Sequence, residues 1–213
     1  MKSMSLFDVS GKNALVIGAT GAFGMVAAET LASAGCNLAL TGGNSLSLSE
    51  IENTCSKLGA NTISINKRPE SQEICEDIVS LTVKEFGSVD ILVVASGINK
   101  VAKIDEMDPD TFSSVMNVNV TQSWLIARAT AALMKKQNTG GKIVLVSSAR
   151  GLLGHPAGYT AYCSSKAAID GMTKALGCEL GSSNITVNAI APTVFRSPLT
   201  AWMFEANHEA KKV

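Results

Sequence analysis

"LVIGATGAFGM", residues 15–25, runs from a short apolar stretch into an alanine-rich segment with helical spacing, and its reading decides the fold. Gly18, Gly21 and Gly24 recur at every third position, a G-x-x-G-x-x-G turn. Glycine lets the backbone turn tightly and approach a pyrophosphate, and the helix N-terminus that follows offers N–H donors to an anion. A plain strand-to-helix turn with close packing wants one or two glycines. Three of them, between the first strand and the first helix, point to dinucleotide binding.

The alternation continues outward from this turn. Strand-like runs appear at NALVIG (13–18), NLALT (37–41), NTISI (61–65), DILVVA (90–95), GKIVLVSS (141–148) and ITVNAIAP (185–192). Between them lie longer segments of helical spacing such as AFGMVAAETLASAG and SQEICEDIVSLTVKEFG. This order implies an α/β fold, a doubly wound, Rossmann-like parallel sheet with helices on both faces. A chain of 213 residues can bury one full core, and no repeat or linker divides it, so residues 1–213 are expected to form a single dinucleotide-binding domain. Ligands of such sheets bind beyond the carboxyl ends of the strands, which makes the strand-ending residues the candidates for a site.

Composition narrows the function. Eighteen basic and eighteen acidic residues cancel without a basic cluster, and aromatics make up 5% of the chain. Nucleic acid and membrane surfaces therefore find neither an electrostatic footing nor a stacking platform. The five cysteines (Cys36, Cys55, Cys75, Cys163, Cys178) contain no C-x-x-C pair, and His155 and His208 are the two histidines. Reduced core thiols and no metal site are expected. The N-terminus MKSMSLFDVSGKNALVIG lacks the apolar run of a signal peptide, and no apolar stretch reaches the roughly 18 residues of a membrane span. These features predict a soluble cytoplasmic protein whose partner is a small-molecule substrate.

Both tyrosines fall in YTAYCSSK, residues 159–166. Tyrosine is a poor base near neutrality, its free pKa being about 10. On a helix, Lys166 follows Tyr162 on the same face, where an ammonium beside the phenol would favour phenolate and lower that pKa.

These segments resemble the short-chain dehydrogenase/reductase family, in its compact branch with a Tyr-x-x-x-Lys pair. The likeness runs from about Gly11 to Ser197 and is carried by the glycine turn, MNVNV (116–120), IVLVSSARG (143–151), YCSSK (162–166) and ITVNAIAPTVFRSPLT (185–200). It implies an NAD(P)-dependent oxidoreductase that interconverts a secondary alcohol and a ketone. Tyr162 resembles the catalytic acid/base, Lys166 its partner and the ligand of the nicotinamide ribose, Ser148 the serine that hydrogen-bonds the substrate oxygen, and Asn119 the asparagine that helps hold a water leading to the lysine. Ser148 stands fourteen positions before Tyr162, one more than is usual, and Ser147 is the adjacent alternative; alternation along a strand lets only one of the two face the site. The implied cofactor residues are Gly18, Thr20, Gly21, Phe23, Gly24, Gly42, Gly43, Asn66, Lys67, Ala95, Gly97, Tyr162, Lys166, Pro192, Phe195 and Ser197. Ser148, Tyr159 and Trp202 are the implied substrate contacts. A dimer or tetramer through the helices around 110–137 and 158–180 is also implied, with copies of the chain or with a paralogous subunit.

The sequence departs from the family pattern at several cofactor positions. Ile17 stands where threonine is usual, VASG (94–97) replaces Asn-Asn-Ala-Gly, Asn66 replaces the aspartate beside adenine, and Pro192 is followed by Thr193. At the end of the second strand, an aspartate would bind the ribose diol and an arginine would attract a 2′-phosphate. Gly42 and Gly43 stand there, and Lys67 and Arg68 read equally well as phosphate ligands or as solvated loop charges, so NAD and NADP both remain open. After RSPLT the chain ends with AWMFEANHEAKKV, without the further C-terminal segment usual in the family. Two functions follow: a dehydrogenase or reductase, or a catalytically silent subunit assembling with an active paralogue. The pattern GHPAGYTAY…PTVFRSPLTAWMF is similar to relatives acting on 3-hydroxyacyl thioesters, with sugar, polyol and steroid relatives left open.

Overall fold

A computed structural model of the chain describes residues 7–193. Six strands form one sheet: Asn13–Ile17 (β1), Asn37–Thr41 (β2), Thr62–Ile65 (β3), Ile91–Val94 (β4), Gly141–Val146 (β5) and Ile185–Ile190 (β6). Their order across the sheet is β3-β2-β1-β4-β5-β6, and every neighbouring pair is parallel. The helices are Ala22–Ser33 (α1), Ser45–Lys57 (α2), Gln72–Phe86 (α3), Pro109–Met116 (α4), Gln122–Gln137 (α5) and Thr160–Leu180 (α6).

Strand alternation sorts the apolar residues to two faces. Ala14 and Val16 of β1 join Leu38, Leu40, Ile91 and Val93 against Ala28 and Ala32 of α1 and Leu48, Ile51 and Cys55 of α2. Leu15 and Ile17 turn the other way, with Leu92, Val94, Ile143 and Leu145, towards Ile78 of α3, Ile126 and Met134 of α5 and Ile169 of α6. A strand buried on both faces needs a continuous apolar run, and this is why NALVI and ILVV show no polar alternation.

Side chains start three of the helices. Asn44 caps α2 through the N–H of Ser47, Ser71 caps α3 through Ile74, and Asp108 caps α4 through Thr111, with Pro109 in its first turn. Helix α1 starts instead on Gly21, which has no capping side chain. Between α4 and α5 the chain makes a single π-helical turn, Asn117–Thr121, that the spacing of the sequence does not announce. Such turns occur often at functional sites.

The sheet is one or two residues shorter at most strand ends than the apolar runs suggest. Gly18, Ala95, Ser147, Ser148 and Pro192 leave the ladder and become loops at its carboxyl edge. The strand order reverses between β1 and β4, so the loops after these two strands diverge and open a crevice. Cys36, Cys55 and Cys75 are buried, and burial pushes each thiol up to about 11. The expectation of core thiols fails for Cys163, which is half-buried, and for Cys178, which is exposed, both lying on outward positions of α6. Among the described residues no helix is long and apolar enough to cross a membrane.

Candidate active site

A cavity of about 450 Å³ occupies the crevice. It is bounded by Gly18, Thr20 and Gly21 after β1, by Thr41, Gly42 and Gly43 at the end of β2, by Lys67–Glu70 after β3 and by Ala95–Ile98 after β4. Gly18 adopts φ +78°, and a Cβ there would lie 2.7 Å from the backbone nitrogen of Ser96. Gly24 is closed from within the turn, since its Cβ would come 2.8 Å from the carbonyl carbon of Gly18. At Gly21 an added Cβ meets nothing closer than 3.3 Å, so that glycine leaves the backbone bare towards the cavity. The three glycines thus divide the work: two let β1, β4 and α1 approach, and one exposes backbone to the cavity. This cradle fits an NAD(P) pyrophosphate.

Ser148, Tyr162 and Lys166 lie past the cavity's β4 end. A Cβ on Gly97 would sit 3.2 Å from Asn119 Oδ1 and 3.7 Å from Lys166 Nζ, so Gly97 is the junction between the two regions. Helix α6 carries Tyr162 and Lys166 one turn apart, as their spacing predicts. Their relation differs from the expectation. Lys166 Nζ is 5.6 Å from the centroid of the Tyr162 ring and donates to the carbonyl of Val146 at 2.7 Å. Burial lowers the lysine to about 8, with Asp170 acting in the opposite sense. Burial also raises the Tyr162 phenol above its ordinary value, while a side-chain interaction with Ser148 pulls it down. Burial thus outweighs what lowers the phenol in this structure. The carbonyl of Val146, at the end of β5, competes for the ammonium.

Ser148 stands just beyond β5, where its hydroxyl accepts from the N–H of Arg150 at 3.2 Å, and the N–H of Gly151 bonds its carbonyl at 2.8 Å. Ser147 points the other way and donates to the carbonyl of Lys166. Alternation thus separates the two serines: one bears on Tyr162, the other anchors α6. Asn119, 1% exposed, projects from the π-helical turn. Its Oδ1 accepts from the N–H of Ile98 at 2.8 Å, and its Nδ2 donates to the Ile98 carbonyl and to Ser165 Oγ, each at 2.9 Å. Ser165 in turn donates to the carbonyl of Tyr162. Asn119 is therefore a clamp between the β4 loop and α6. Ser165 was not singled out in the sequence, although it sits three positions after Tyr162, within one helical turn.

The remaining candidates divide. Thr20, Gly42, Gly43, Lys67 and Ala95 line the cavity, whereas Phe23 and Asn66 do not. Lys67 is tied to Asp77 by an ion pair. The carbonyl of Pro192 receives the N–H of Ala149, which draws the loop after β6 against the one after β5. Tyr159 precedes α6 as its N-cap residue, its ring 4.5 Å from His155 and edge-on to Tyr162 at 6.2 Å. Phe195, Ser197 and Trp202 lie outside the described residues.

The short chain dehydrogenase family model matches residues 12–208. The chain belongs to the short-chain dehydrogenases. It is an NAD(P)-dependent oxidoreductase acting on CH–OH groups. An uncharacterised oxidoreductase of Mycobacterium tuberculosis is 46% identical to this short-chain dehydrogenase over 201 residues, 94% of this chain and 74% of the relative. A 3-oxoacyl-acyl-carrier-protein reductase of Rickettsia felis is 34% identical over 206 residues, covering 96% and 81% of the two chains. Among solved structures, a short-chain type dehydrogenase/reductase from Mycobacterium marinum superposes with a TM-score of 0.88 at 32% identity, covering 90% of this chain and 78% of the other. An NAD+-bound xylitol dehydrogenase gives 0.86 at 31%, covering 92% and 75%.

Proposed function

We propose that this dehydrogenase interconverts a 3-oxoacyl thioester and its 3-hydroxy form, with Tyr162 as acid/base, Ser148 as hydrogen-bond donor to the substrate oxygen, Lys166 as the charge beside the coenzyme ribose and Asn119 as the positioning residue. The bound coenzyme supplies or accepts the hydride. In reduction Ser148 and Tyr162 polarise the carbonyl oxygen, and the Tyr162 hydroxyl delivers its proton to that oxygen as the alkoxide forms. In oxidation the proton returns to Tyr162. The observation that carries the reading is the meeting of Lys166, Asn119 and Gly97 beside the glycine cradle, with Tyr162 one turn before Lys166 on α6.

The thioester assignment is supported by an apolar rim. Val101, Ile104, Leu152 and Leu153 are all more than half exposed. Their loops are stitched together by Ala102 N–H to the Gly158 carbonyl and Lys103 Nζ to the Pro156 carbonyl. Exposed apolar side chains on loops stitched to the start of α6 suit an acyl chain better than a polyol. The likeness to a 3-oxoacyl-acyl-carrier-protein reductase agrees with this. Assembly through the α4–α5 and α6 faces is part of the proposal, since Phe112 and Trp124 lie substantially exposed on that side.

Coenzyme-coupled absorbance with an acetoacetyl thioester, xylitol and a steroid alcohol tests the reading. The thioester is expected to turn over fastest. Tyr162→Phe should abolish turnover by a factor of roughly 10² or more while coenzyme binding persists. Retention of over about a tenth of the activity would remove Tyr162 from the chemistry. A monomer by light scattering would overturn the assembly.

A further inference from the structure

We propose that Arg68, carried by the loop after β3, selects NADP(H) by binding the 2′-phosphate at the end of β2. The residues that follow β2 offer no charged side chain for this task. Gly42 has no room for one, because a Cβ would lie 2.9 Å from Thr20 Cγ2 and 3.3 Å from Leu48 Cδ2. Asn44 is committed to the cap of α2, its Oδ1 accepting from Ser47 N–H at 3.0 Å. Gly43 alone is open, and the Arg68 guanidinium fills its place: a Cβ built on Gly43 would fall 2.6 Å from Arg68 Cζ. The missing side chain of one strand is thus replaced by the arginine of the next loop.

The loop holds the arginine there. Lys67 N–H bonds the carbonyl of Ile65, Glu70 N–H bonds that of Arg68, each at 2.8 Å, and Pro69 is buried between them. Lys67 is turned to Asp77, whereas Arg68 makes no ion pair among the described residues. Gly43 and Arg68 both line the cavity together with Thr20 and Gly21 of the glycine turn; Glu70 is the one carboxylate of that lining. A planar guanidinium takes a phosphate through two parallel hydrogen bonds, and a strand end without a carboxylate does not repel it.

The proposal rests on the coenzyme site, and its test separates the two. NADPH, NADH, adenosine 2′,5′-bisphosphate and AMP are titrated by calorimetry against the wild type, Arg68→Ala and Lys67→Ala. The wild type should bind NADPH over NADH, and the bisphosphate over AMP, by on the order of tenfold or more. Arg68→Ala should reduce both ratios to within about twofold with NADH affinity unchanged, and Lys67→Ala should keep most of the preference. Equal affinity for both coenzymes in the wild type overturns the role of Arg68 and leaves the coenzyme site standing. A preference that survives Arg68→Ala overturns it as well. Failure of every ligand to bind overturns the coenzyme site and the proposal together.

Discussion

The Lys166 ammonium is held by the carbonyl of Val146, 2.7 Å away, across the junction between α6 and the end of β5. Val146 is the last residue of its strand, so its carbonyl is directed into the loop region where the sheet gives way to the site. The bond keeps a long side chain ordered where water is scarce, and it is this burial, with Lys166 5% exposed, that lowers its pKa.

That pKa makes a stability prediction. Lys166 falls from 10.5 to about 8 in the folded chain, so between these values the unfolded chain binds more protons. Stability contributed by this site therefore rises with pH through the window, and the cost of burying the charge is fully present below about 8. Lys166→Met removes the charge and keeps most of the packing. It should raise Tm at pH 7, by a gain on the order of 3 kcal/mol at most, less the lost bond to Val146. The gain should shrink towards pH 10.5. An identical Tm difference at pH 7 and pH 10 would contradict the burial argument.

Tyr162 titrates in the other direction. Burial raises its phenol, so near neutrality it carries its proton and is ready as an acid. Reduction should run at an even rate through neutral pH, whereas oxidation, which needs the phenolate, should climb as pH rises. Initial rates in both directions between pH 6 and 10 check this. Oxidation that is independent of pH would exclude proton transfer to Tyr162 from the slow step.

Asn119→Ala leaves the N–H and the carbonyl of Ile98 without their partner and frees Ser165 from one of its bonds. A buried group left unpaired costs about 1–3 kcal/mol. The urea midpoint should fall accordingly, and coenzyme affinity should weaken because Ile98 adjoins Gly97. Asn119→Asp keeps an acceptor for Ile98 N–H but buries a carboxylate against the Ile98 carbonyl, so it should destabilise at least as much as the alanine variant. Unchanged unfolding in Asn119→Ala would refute the clamp.

Gly24→Ala places a methyl group 2.8 Å from the Gly18 carbonyl carbon. The obstacle is backbone, which cannot rotate aside, so α1 must shift away from β1. A loss of roughly 1–3 kcal/mol is expected, the usual cost of overpacking. Gly21→Ala, whose Cβ would stand 3.3 Å from the Gly18 carbonyl oxygen, should lower Tm less than Gly24→Ala and weaken coenzyme binding more than it weakens the fold. Equal Tm losses for the two variants would show that both glycines serve packing alone.

Local rules made much of this legible in advance. The apolar runs marked β1, β2 and β4 most clearly because these strands are buried on both faces, whereas β3, β5 and β6 hold polar residues on their exposed positions, and LVIGATGAFGM marked the turn because three glycines exceed what packing requires. Alternation required that Ser147 and Ser148 face opposite ways, and helical period required that Tyr162 and Lys166 share a face. Which partner each polar group takes depends on distances across the sheet edge, and no local period encodes these. Only the tertiary structure decides that Lys166 serves the Val146 carbonyl while the phenol stays raised by burial. It also decides that a π-helical turn aims Asn119 at Ile98, and that Arg68, 25 residues beyond Gly43 in the chain, fills the space over it because β2 and β3 are parallel neighbours whose carboxyl ends lie side by side.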